Sequence, residues 1–394
     1  MTSIGLDLGT GAIKGVCWNQ EKGILKKISE RVTFNHPAPA HCEIDPISYK
    51  EQVLCIINKL ADAAEEEITG IAFAAASGNT LLCSHDGKPL TPIISWLDNR
   101  LEDWMPPQEW DVRNTCGWRA IRTFPLMHLE YFRRTCPEVL KKAKIAMNND
   151  WLLWELCGVH QLDSSNAAPF YLWNQTEKNY ADYIEYYGLT PEQLPEIVPP
   201  GTVSGSLKAK FCRGNLTAKT RITAGSFDHP SAARAVNIFE PGDMLLSCGT
   251  SWVGFYPCCK REDVPLNELC DIFQSDSGGC WGAMFSIAAV GVEVENFVCN
   301  RFGNVADRYE KFNNEAIEND TPSRKMMLSV IDRFKKRLDT HPNIRRLVIS
   351  GGPSEGKAWI ELLRKEIDIK IEIAPWHSYT GAVGAAQIAG ALVK

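Results

Sequence analysis

Short apolar runs separated by a glycine-rich turn form the beginning of the chain. Residues 3–19 read SIGLDLGTGAIKGVCWN, in which one apolar strand ends at Asp7, a turn follows at 9–11, and a second strand covers 13–18. This pattern predicts a β-hairpin. A P-loop or dinucleotide-binding fold would need a helix directly after the glycines, and neither of their fingerprints occurs in this segment.

A second unit of the same design lies in the other half of the chain. Residues 244–256 read MLLSCGTSWVGFY, again strand, Gly-Thr turn and strand. The repeat predicts two lobes, each opening with a hairpin around Gly-Thr, and a cleft between the two hairpins. Because the shared segment is short, a chance match of two such units is the alternative.

The remaining periodicity predicts strands that alternate with helices in both halves, which indicates an α/β fold. A stretch punctuated by proline and glycine, 195–205, leads to a strand at 220–224, and we place the domain boundary there, giving domains 1–223 and 224–394. The other predicted elements are a helix at 46–67, a strand at 68–76, a hairpin at 80–95, a Trp-rich, largely helical stretch to about 188, helices at 290–302 and 322–340, a strand at 346–350, a helix at 355–365, a strand at 367–373 and a helix of small residues at 381–393.

Composition narrows the classes of partner. The 394 residues are 44% hydrophobic and 23% charged, enough for two large lobes, and the net charge of -6 argues against a nucleic-acid binder. The apolar runs fall short of the roughly 18 residues of a membrane span, and Asp7 interrupts the first run, so Met1 does not open a secretory signal. We therefore expect a cytoplasmic protein that binds neither nucleic acid nor membrane; a homodimer is compatible with the sequence.

The 14 cysteines are scattered and form no CxxC pair. Cys17, Cys55 and Cys248 lie inside apolar strand or helix patterns, where a thiol behaves as a small hydrophobic side chain. We interpret the cysteines as reduced and structural.

Two carboxylates are candidates for chemistry. Asp7 stands at a strand end beside a glycine turn, where it could hold Mg²⁺ while the turn binds phosphate, or could simply cap the turn. Lys14 could reach the same phosphate or extend into solvent. Asp228 follows a strand and precedes Pro230 at a helix start, so it could cap that helix, act as a general base, or both.

Three further segments carry polar groups suited to a ligand. The segment WLDNR places Trp96, Asp98 and Arg100 together, and 163–166 adds short polar side chains; both suit a polyhydroxylated ligand, and both could equally be surface turns. Two glycines at 351–352 before a helix could let a phosphate or flat ligand approach the backbone.

Taken together, six segments resemble the FGGY family of carbohydrate kinases in order and rough spacing, over nearly the whole chain. The resemblance implies two ribonuclease-H-like domains of the actin and sugar-kinase ATPase fold, with a nucleotide cleft between them. It also implies ATP-dependent phosphorylation of a sugar or polyol hydroxyl, with MgATP as phosphoryl donor and an open-chain ketose such as a pentulose as the expected acceptor. The six segments are IGLDLGTGAIKGV, WLDNR, AGSFDHPSAARAV, LLSCGTSW, VISGGPSEGKAW and GAVGAAQIAG.

The resemblance also implies residue roles. Asp7 matches the Mg²⁺-associated acid, Asp228 the catalytic base, and Asp98 and Arg100 an element near the sugar, while Gly356 stands where an adenine-contacting side chain is frequent. The expected nucleotide contacts are Gly9, Thr10, Gly11, Lys14, Gly249, Thr250, Gly291, Gly351, Gly352 and Gly356.

The chain departs from the family mainly around the substrate. Residues 76–79 are small, so that Ser77 and Gly78 are expected to border an open sugar pocket, and His229 either contacts the substrate or is a turn histidine. The second lobe also lacks a long segment before the strand at 346–350. These departures motivate an alternative, a nucleotide-binding regulatory or scaffold protein of the same fold with weak catalysis.

Overall fold

Each Gly-Thr hairpin begins a six-stranded mixed sheet in the computed structural model, which describes residues 1–120 and 124–391. The first sheet has the spatial order Val203–Ser206, Arg221–Phe227, Ile68–Ala75, Thr2–Leu8, Ala12–Asn19 and Gly23–Arg31. The second has the order Leu269–Asp271, Trp281–Ile287, Trp252–Cys258, Asp243–Cys248, Arg346–Gly351 and Lys370–Ile373.

The two sheets repeat one topology. In each, the first strand of the hairpin pairs antiparallel with the second and parallel with a strand on its other side: Thr2–Leu8 with Ile68–Ala75, and Asp243–Cys248 with Arg346–Gly351. A further parallel strand follows in both sheets. The predicted duplicated α/β fold is therefore confirmed, since a chance likeness of two hairpins would not extend to the strands around them.

Helices cover the sheets and connect their strands. They are Pro46–Ala61, Val112–Cys116, Pro125–Thr135, Pro137–Leu140, Asn148–Cys157, Ser164–Phe170, Asp228–Ala235, Val290–Phe302, Arg308–Ile317, Pro322–Leu338, Lys357–Glu366 and Thr380–Gly390. Short strand pairs complete the first lobe: Glu43–Ile44 with Ile93–Ile94, Leu81–Cys83 with Lys144–Ala146, Gln161–Asp163 with Glu196–Val198, and Trp173–Asn174 with Asn179–Tyr180.

Several predicted elements differ in detail. Of the hairpin predicted at 80–95, Leu81–Cys83 pairs mainly with Lys144–Ala146, because a distant strand offers a longer ladder than the local bridges to Pro89 and Ile94. The helix Arg308–Ile317, which buries Phe312 and Ala316, was not predicted. The end of the helix predicted at 381–393 partly lies outside the described residues.

The predicted boundary after residue 223 falls inside a strand. All of Arg221–Phe227 belongs to the first sheet, where it pairs with Ile68–Ala75, and the second sheet begins at Asp243. The helix Thr380–Gly390 follows the last strand of the second sheet but packs on the first sheet, so the chain crosses between the lobes twice.

Small residues allow this crossing. A Cβ atom on Gly384 would overlap the carbonyl oxygen of Ser231 in the helix Asp228–Ala235, and one on Gly5 would overlap the carbonyl oxygen of Ala382. The hydroxyl of Ser231 donates to the carbonyl oxygen of Gly381 over 3.0 Å. The two helices therefore meet backbone to backbone, which leaves no space for a larger side chain.

The cysteines of the described part of the chain form no disulfide bonds. All fourteen cysteines carry free thiols. Cys17 and Cys248 are buried as predicted, whereas Cys55 is exposed because it lies on the outer face of the helix Pro46–Ala61.

Among the described helices, none has both the length and the apolar character that crossing a bilayer requires.

The helix crossing predicts a stability effect. Gly384→Ala should lower the free energy of unfolding by about 1–3 kcal/mol, because the added methyl group forces the two helices apart. Urea unfolding of the intact chain measures this. Gly11→Ala is the matched control, since a Cβ atom there meets no heavy atom within 4 Å, and equal effects of the two substitutions would contradict the packing argument.

Candidate functional site

Asp7 lies near the end of the first strand, beside the Gly-Thr turn. It faces Lys14 across the hairpin, and its Oδ1 atom is buried without a hydrogen-bond partner among the described residues. Burial, reinforced by the negative charge of Asp228, raises the pKa of Asp7 to about 7, against the opposing charges of Lys14 and His229. A partly desolvated carboxylate with a free oxygen is suited to a divalent cation.

Asp228 begins the helix Asp228–Ala235 at the end of the strand Arg221–Phe227. It is the first helical residue and not the cap, which is Phe227, and its Oδ1 accepts the amide of His229 over 2.7 Å. Burial raises the pKa of Asp228 to about 7, although its side chain keeps 22% exposure. A carboxylate with this pKa can take up a proton near neutral pH.

His229 lies beside both carboxylates. Its Nε2 atom is 3.6 Å from Oδ1 of Asp228, and its ring packs edge-on against Phe227. Burial lowers the pKa of His229 to about 4, despite the opposing charge of Asp7. The imidazole is therefore neutral at pH 7 and can donate or accept a hydrogen bond.

Sheet topology brings the two carboxylates together. The strands Thr2–Leu8 and Arg221–Phe227 run parallel to Ile68–Ala75 on either side of it, so Asp7 and Asp228 emerge at the same edge of the sheet. The helix Thr380–Gly390 closes this edge from the second lobe, where a Cβ atom on Gly381 would lie 2.9 Å from Oδ2 of Asp7.

The second lobe contains a cavity of about 870 Å³. Five of the predicted nucleotide contacts line it: Gly249, Thr250, Gly291, Gly352 and Gly356. Gly291 must lack a side chain, because its Cβ would overlap the carbonyl oxygen of Gly249, while its amide donates to the carbonyl of Thr250 over 2.9 Å.

Gly351 does not line this cavity. It ends the strand Arg346–Gly351 with φ of 91°, and a Cβ atom would overlap the carbonyl oxygen of Cys248. Its requirement for glycine therefore comes from the close packing of two strands and from the left-handed backbone.

One wall of the cavity comes from an element that the sequence did not predict. The helix Arg308–Ile317 supplies it, and Lys357 and Trp359 extend it. The Oδ1 atom of Asn313 occupies the space that a side chain at position 356 would need, so Gly356 has no side chain because a residue from another helix fills that space. The residues contributed by Arg308–Ile317 are Tyr309, Glu310, Asn313 and Asn314.

The first-lobe turn touches the segment WLDNR. The indole Nε1 of Trp96 donates to Oγ1 of Thr10 over 3.0 Å, and the amide of Trp96 donates to Oδ1 of Asn79, also over 3.0 Å. The turn at 9–11 and the segment at 76–79 are thus joined through one tryptophan. The structure places Lys14 on the second hairpin strand, partly exposed.

Asp98 and Arg100 bind each other. Nε and a terminal nitrogen of Arg100 each donate to the Asp98 carboxylate over 2.8 Å, and the same terminal nitrogen contacts Glu43 at 2.6 Å. Burial would raise the pKa of Asp98, but the hydrogen bonds from Arg100 and from the Cys42 amide hold it below its ordinary value. With both side chains buried in this ion pair, their contact with a sugar stays a prediction.

Ser77 and Gly78 lie in a polar and aromatic layer of the first lobe. The hydroxyl of Ser77 donates to Asn166, whose amide groups donate to Asp163, the cap of the helix Ser164–Phe170. Gly78 has φ of 100° and faces Phe124, whose ring excludes a side chain there. Their role toward a substrate also stays a prediction.

The chain is similar in sequence to known carbohydrate kinases. The model of the FGGY family of carbohydrate kinases, N-terminal domain, matches residues 2–234. The chain is 25% identical over 264 residues to the xylulose kinase of Lactococcus lactis, covering 64% of this chain and 52% of that protein, and 22% identical over 262 residues to the gluconokinase of Bacillus subtilis, covering 64% and 51%. It thus spans about half the length of the curated relatives it matches.

Solved structures share the fold over nearly the whole chain. The xylulose kinase of Rhodospirillum rubrum superposes with a TM-score of 0.82 at 18% identity, covering 99% of this chain and 90% of that one. The glycerol kinase of Plasmodium falciparum with ADP superposes with a TM-score of 0.84 at 18% identity, covering 99% and 89%.

The raised pKa of Asp228 predicts a pH-dependent stability effect. The folded state holds its proton up to about pH 7, whereas the unfolded chain releases it near the ordinary pKa, so the wild-type carboxylate costs stability as pH rises through this window. Asp228→Asn should therefore be more stable than wild type at pH 8, by about 1 kcal/mol or more, and the difference should shrink toward pH 4. Urea unfolding at both pH values measures it; the exposed Asp62→Asn is the control, and a pH-independent difference would contradict the desolvation argument.

Proposed function

Because this chain belongs to the FGGY family of carbohydrate kinases, we propose that it transfers the γ-phosphoryl group of ATP to a hydroxyl group of a small sugar or polyol. The observation that carries the proposal is Asp228, a desolvated carboxylate with a pKa of about 7 where the strand Arg221–Phe227 ends and its helix begins. Its helix packs against the strand Trp252–Cys258, whose hairpin turn borders the cavity of the second lobe.

In the proposed reaction, the substrate hydroxyl donates a hydrogen bond to Asp228. As its oxygen bonds to the γ-phosphorus, the bond from that phosphorus to the bridging oxygen of ADP breaks, and the hydroxyl proton passes to Asp228. The carboxylate then releases the proton to solvent. The neutral His229 beside it can orient the substrate or the carboxylate without adding a second charge.

Asp7 suits the cation that accompanies ATP. Its unpartnered Oδ1 atom and its partly desolvated carboxylate fit a ligand to Mg²⁺ or to a water of its shell. Mg²⁺ bound with the nucleotide supplies charge neutralisation at the transferred group. The turn at 9–11 and Lys14 lie next to this carboxylate and are the proposed phosphate contacts of the first lobe, whereas the glycines of the cavity are those of the second.

The acceptor we propose is an open-chain ketose, with a pentulose first. The support is the similarity to proteins named xylulose kinase, together with the small side chains at 76–79 that border the polar and aromatic layer of Ser77 and Asn166. Aromatic faces and amide or hydroxyl groups are the usual means of binding polyols.

Release of ADP by the purified chain with MgATP tests the proposal. We expect release to depend on the acceptor across a panel of ketopentoses, ketohexoses, aldoses and polyols, and to fall to background without sugar. The dependence identifies both the reaction and the acceptor class. Nucleotide binding without acceptor-dependent release would instead support the regulatory alternative.

Replacement of the base gives a second test. Asp228→Asn should lower kcat by about 100-fold or more, because the proton acceptor is lost, while the dissociation constant of MgATP stays within about twofold. In wild type, kcat/KM should rise with pH through an apparent pKa of about 7, which belongs to the Asp7 and Asp228 pair. Turnover retained in Asp228→Asn would remove this residue from the mechanism.

A further inference from the structure

Two neighbouring serines at the start of the helix Ser164–Phe170 donate hydrogen bonds across the lobe interface. The hydroxyl of Ser164 donates to Oδ2 of Asp276 over 2.6 Å, and that of Ser165 donates to Oδ2 of Asp271 over 2.7 Å. Ser165 and Asp271 are completely buried, and Asp271 ends the edge strand of the second sheet. The first lobe is thus tied to the second through a buried carboxylate.

Ser165 also contacts the strand that ends at Asp228. The amide of Phe227 donates to its hydroxyl oxygen over 3.2 Å, and the hydroxyl of Ser226 lies 3.4 Å away. A serine hydroxyl has one hydrogen and two lone pairs, so donation to Asp271 leaves the oxygen oriented as an acceptor for Phe227. One buried oxygen therefore joins Asp271 of the second lobe to the residue directly before Asp228.

The same segment of the second lobe holds the far end of the helix that begins at Asp228. The guanidinium of Arg234 lies 4.6 Å from the ring centre of Phe273 and donates to the Phe273 carbonyl oxygen. The amide of Phe273 in turn donates to Oδ1 of Asp271 over 2.7 Å. One carboxylate oxygen of Asp271 is therefore connected through Ser165 to the start of the helix Asp228–Ala235. The other is connected through Phe273 to the end of that helix.

We propose that Ser165 and Asp271 are positioning residues that orient Asp228 according to the placement of the nucleotide-binding lobe. This inference rests on the proposed function. When the lobes separate, the contact between the two side chains is lost, and the Ser165 hydroxyl can rotate, so that its oxygen is no longer held as the acceptor of the Phe227 amide. The base therefore keeps this orientation only while the lobes are in contact.

Ser165→Ala tests the proposal, with Asp276→Ala as its control. Each substitution removes one of the two serine–aspartate hydrogen bonds between the lobes, but only the bond of Ser165 is connected to Phe227. With the best acceptor, we expect Ser165→Ala to lower kcat about tenfold or more while the KM for sugar changes less than about twofold. Asp276→Ala should keep kcat within about twofold of wild type.

Asp271→Asn provides a second variant of similar shape, in case Ser165→Ala fails to fold. It should also lower kcat, and the double variant should lose no more than the worse single one, because both act through one contact. Equal kcat values for Ser165→Ala and Asp276→Ala, or additive losses in the double variant, would overturn the proposal.

Hydrogen–deuterium exchange at the Phe227 amide separates this inference from the proposed function. The exchange should be faster in Ser165→Ala than in wild type and unchanged in Asp276→Ala. If wild type shows no acceptor-dependent ADP release, the proposed function fails, and the exchange experiment alone judges the contact. Unchanged exchange in Ser165→Ala would overturn the inference whatever the activity.

Discussion

The backbone contact between the helices Asp228–Ala235 and Thr380–Gly390 is the constraint on which the rest of the structure depends. Each helix follows the last parallel strand of one sheet, and they cross where Gly384 meets the carbonyl of Ser231. Because no free volume separates the two helices, a displacement of one helix is transmitted to the other. The crossing therefore fixes the position of one lobe relative to the other. Through Gly381 and Ser231 it also shapes the surroundings of Asp7 and Asp228.

Around this crossing the protein concentrates buried acidic groups. Burial raises the pKa of each of Asp7, Asp228 and Asp271 to about 7. Such groups cost stability, since a desolvated carboxylate is less favourable than a solvated one. Their concentration between the lobes is typical of a site that transfers protons, because proton transfer needs groups that can change protonation near neutral pH.

The two lobes contribute different kinds of residue to the site. The first lobe supplies charged and aromatic side chains at the end of its parallel strands, while the second surrounds a large cavity with glycine turns on one side and with longer side chains such as Tyr309, Lys357 and Trp359 on the other. Glycine there allows direct approach to the main chain, as between Gly291 and the turn at Gly249. The edge strand Leu269–Asp271 joins these contributions, because it belongs to the second sheet but bonds to Ser165 of the first lobe.

The sequence by itself determined the duplicated hairpins, the α/β class, most helices, the central strands of both sheets, and the chemical type of Asp7, Asp228 and the cavity glycines, because each depends on local periodicity, turn chemistry or a motif. Only the tertiary structure decided the contacts between distant segments: the ion pair of Arg100 with Glu43, the cavity wall from Arg308–Ile317, and the link from Asp271 to Ser165. The tertiary structure also decided that all of Arg221–Phe227 belongs to the first sheet, past the predicted boundary. These features arise from pairing and desolvation between residues far apart in the chain, for which local sequence carries no signal.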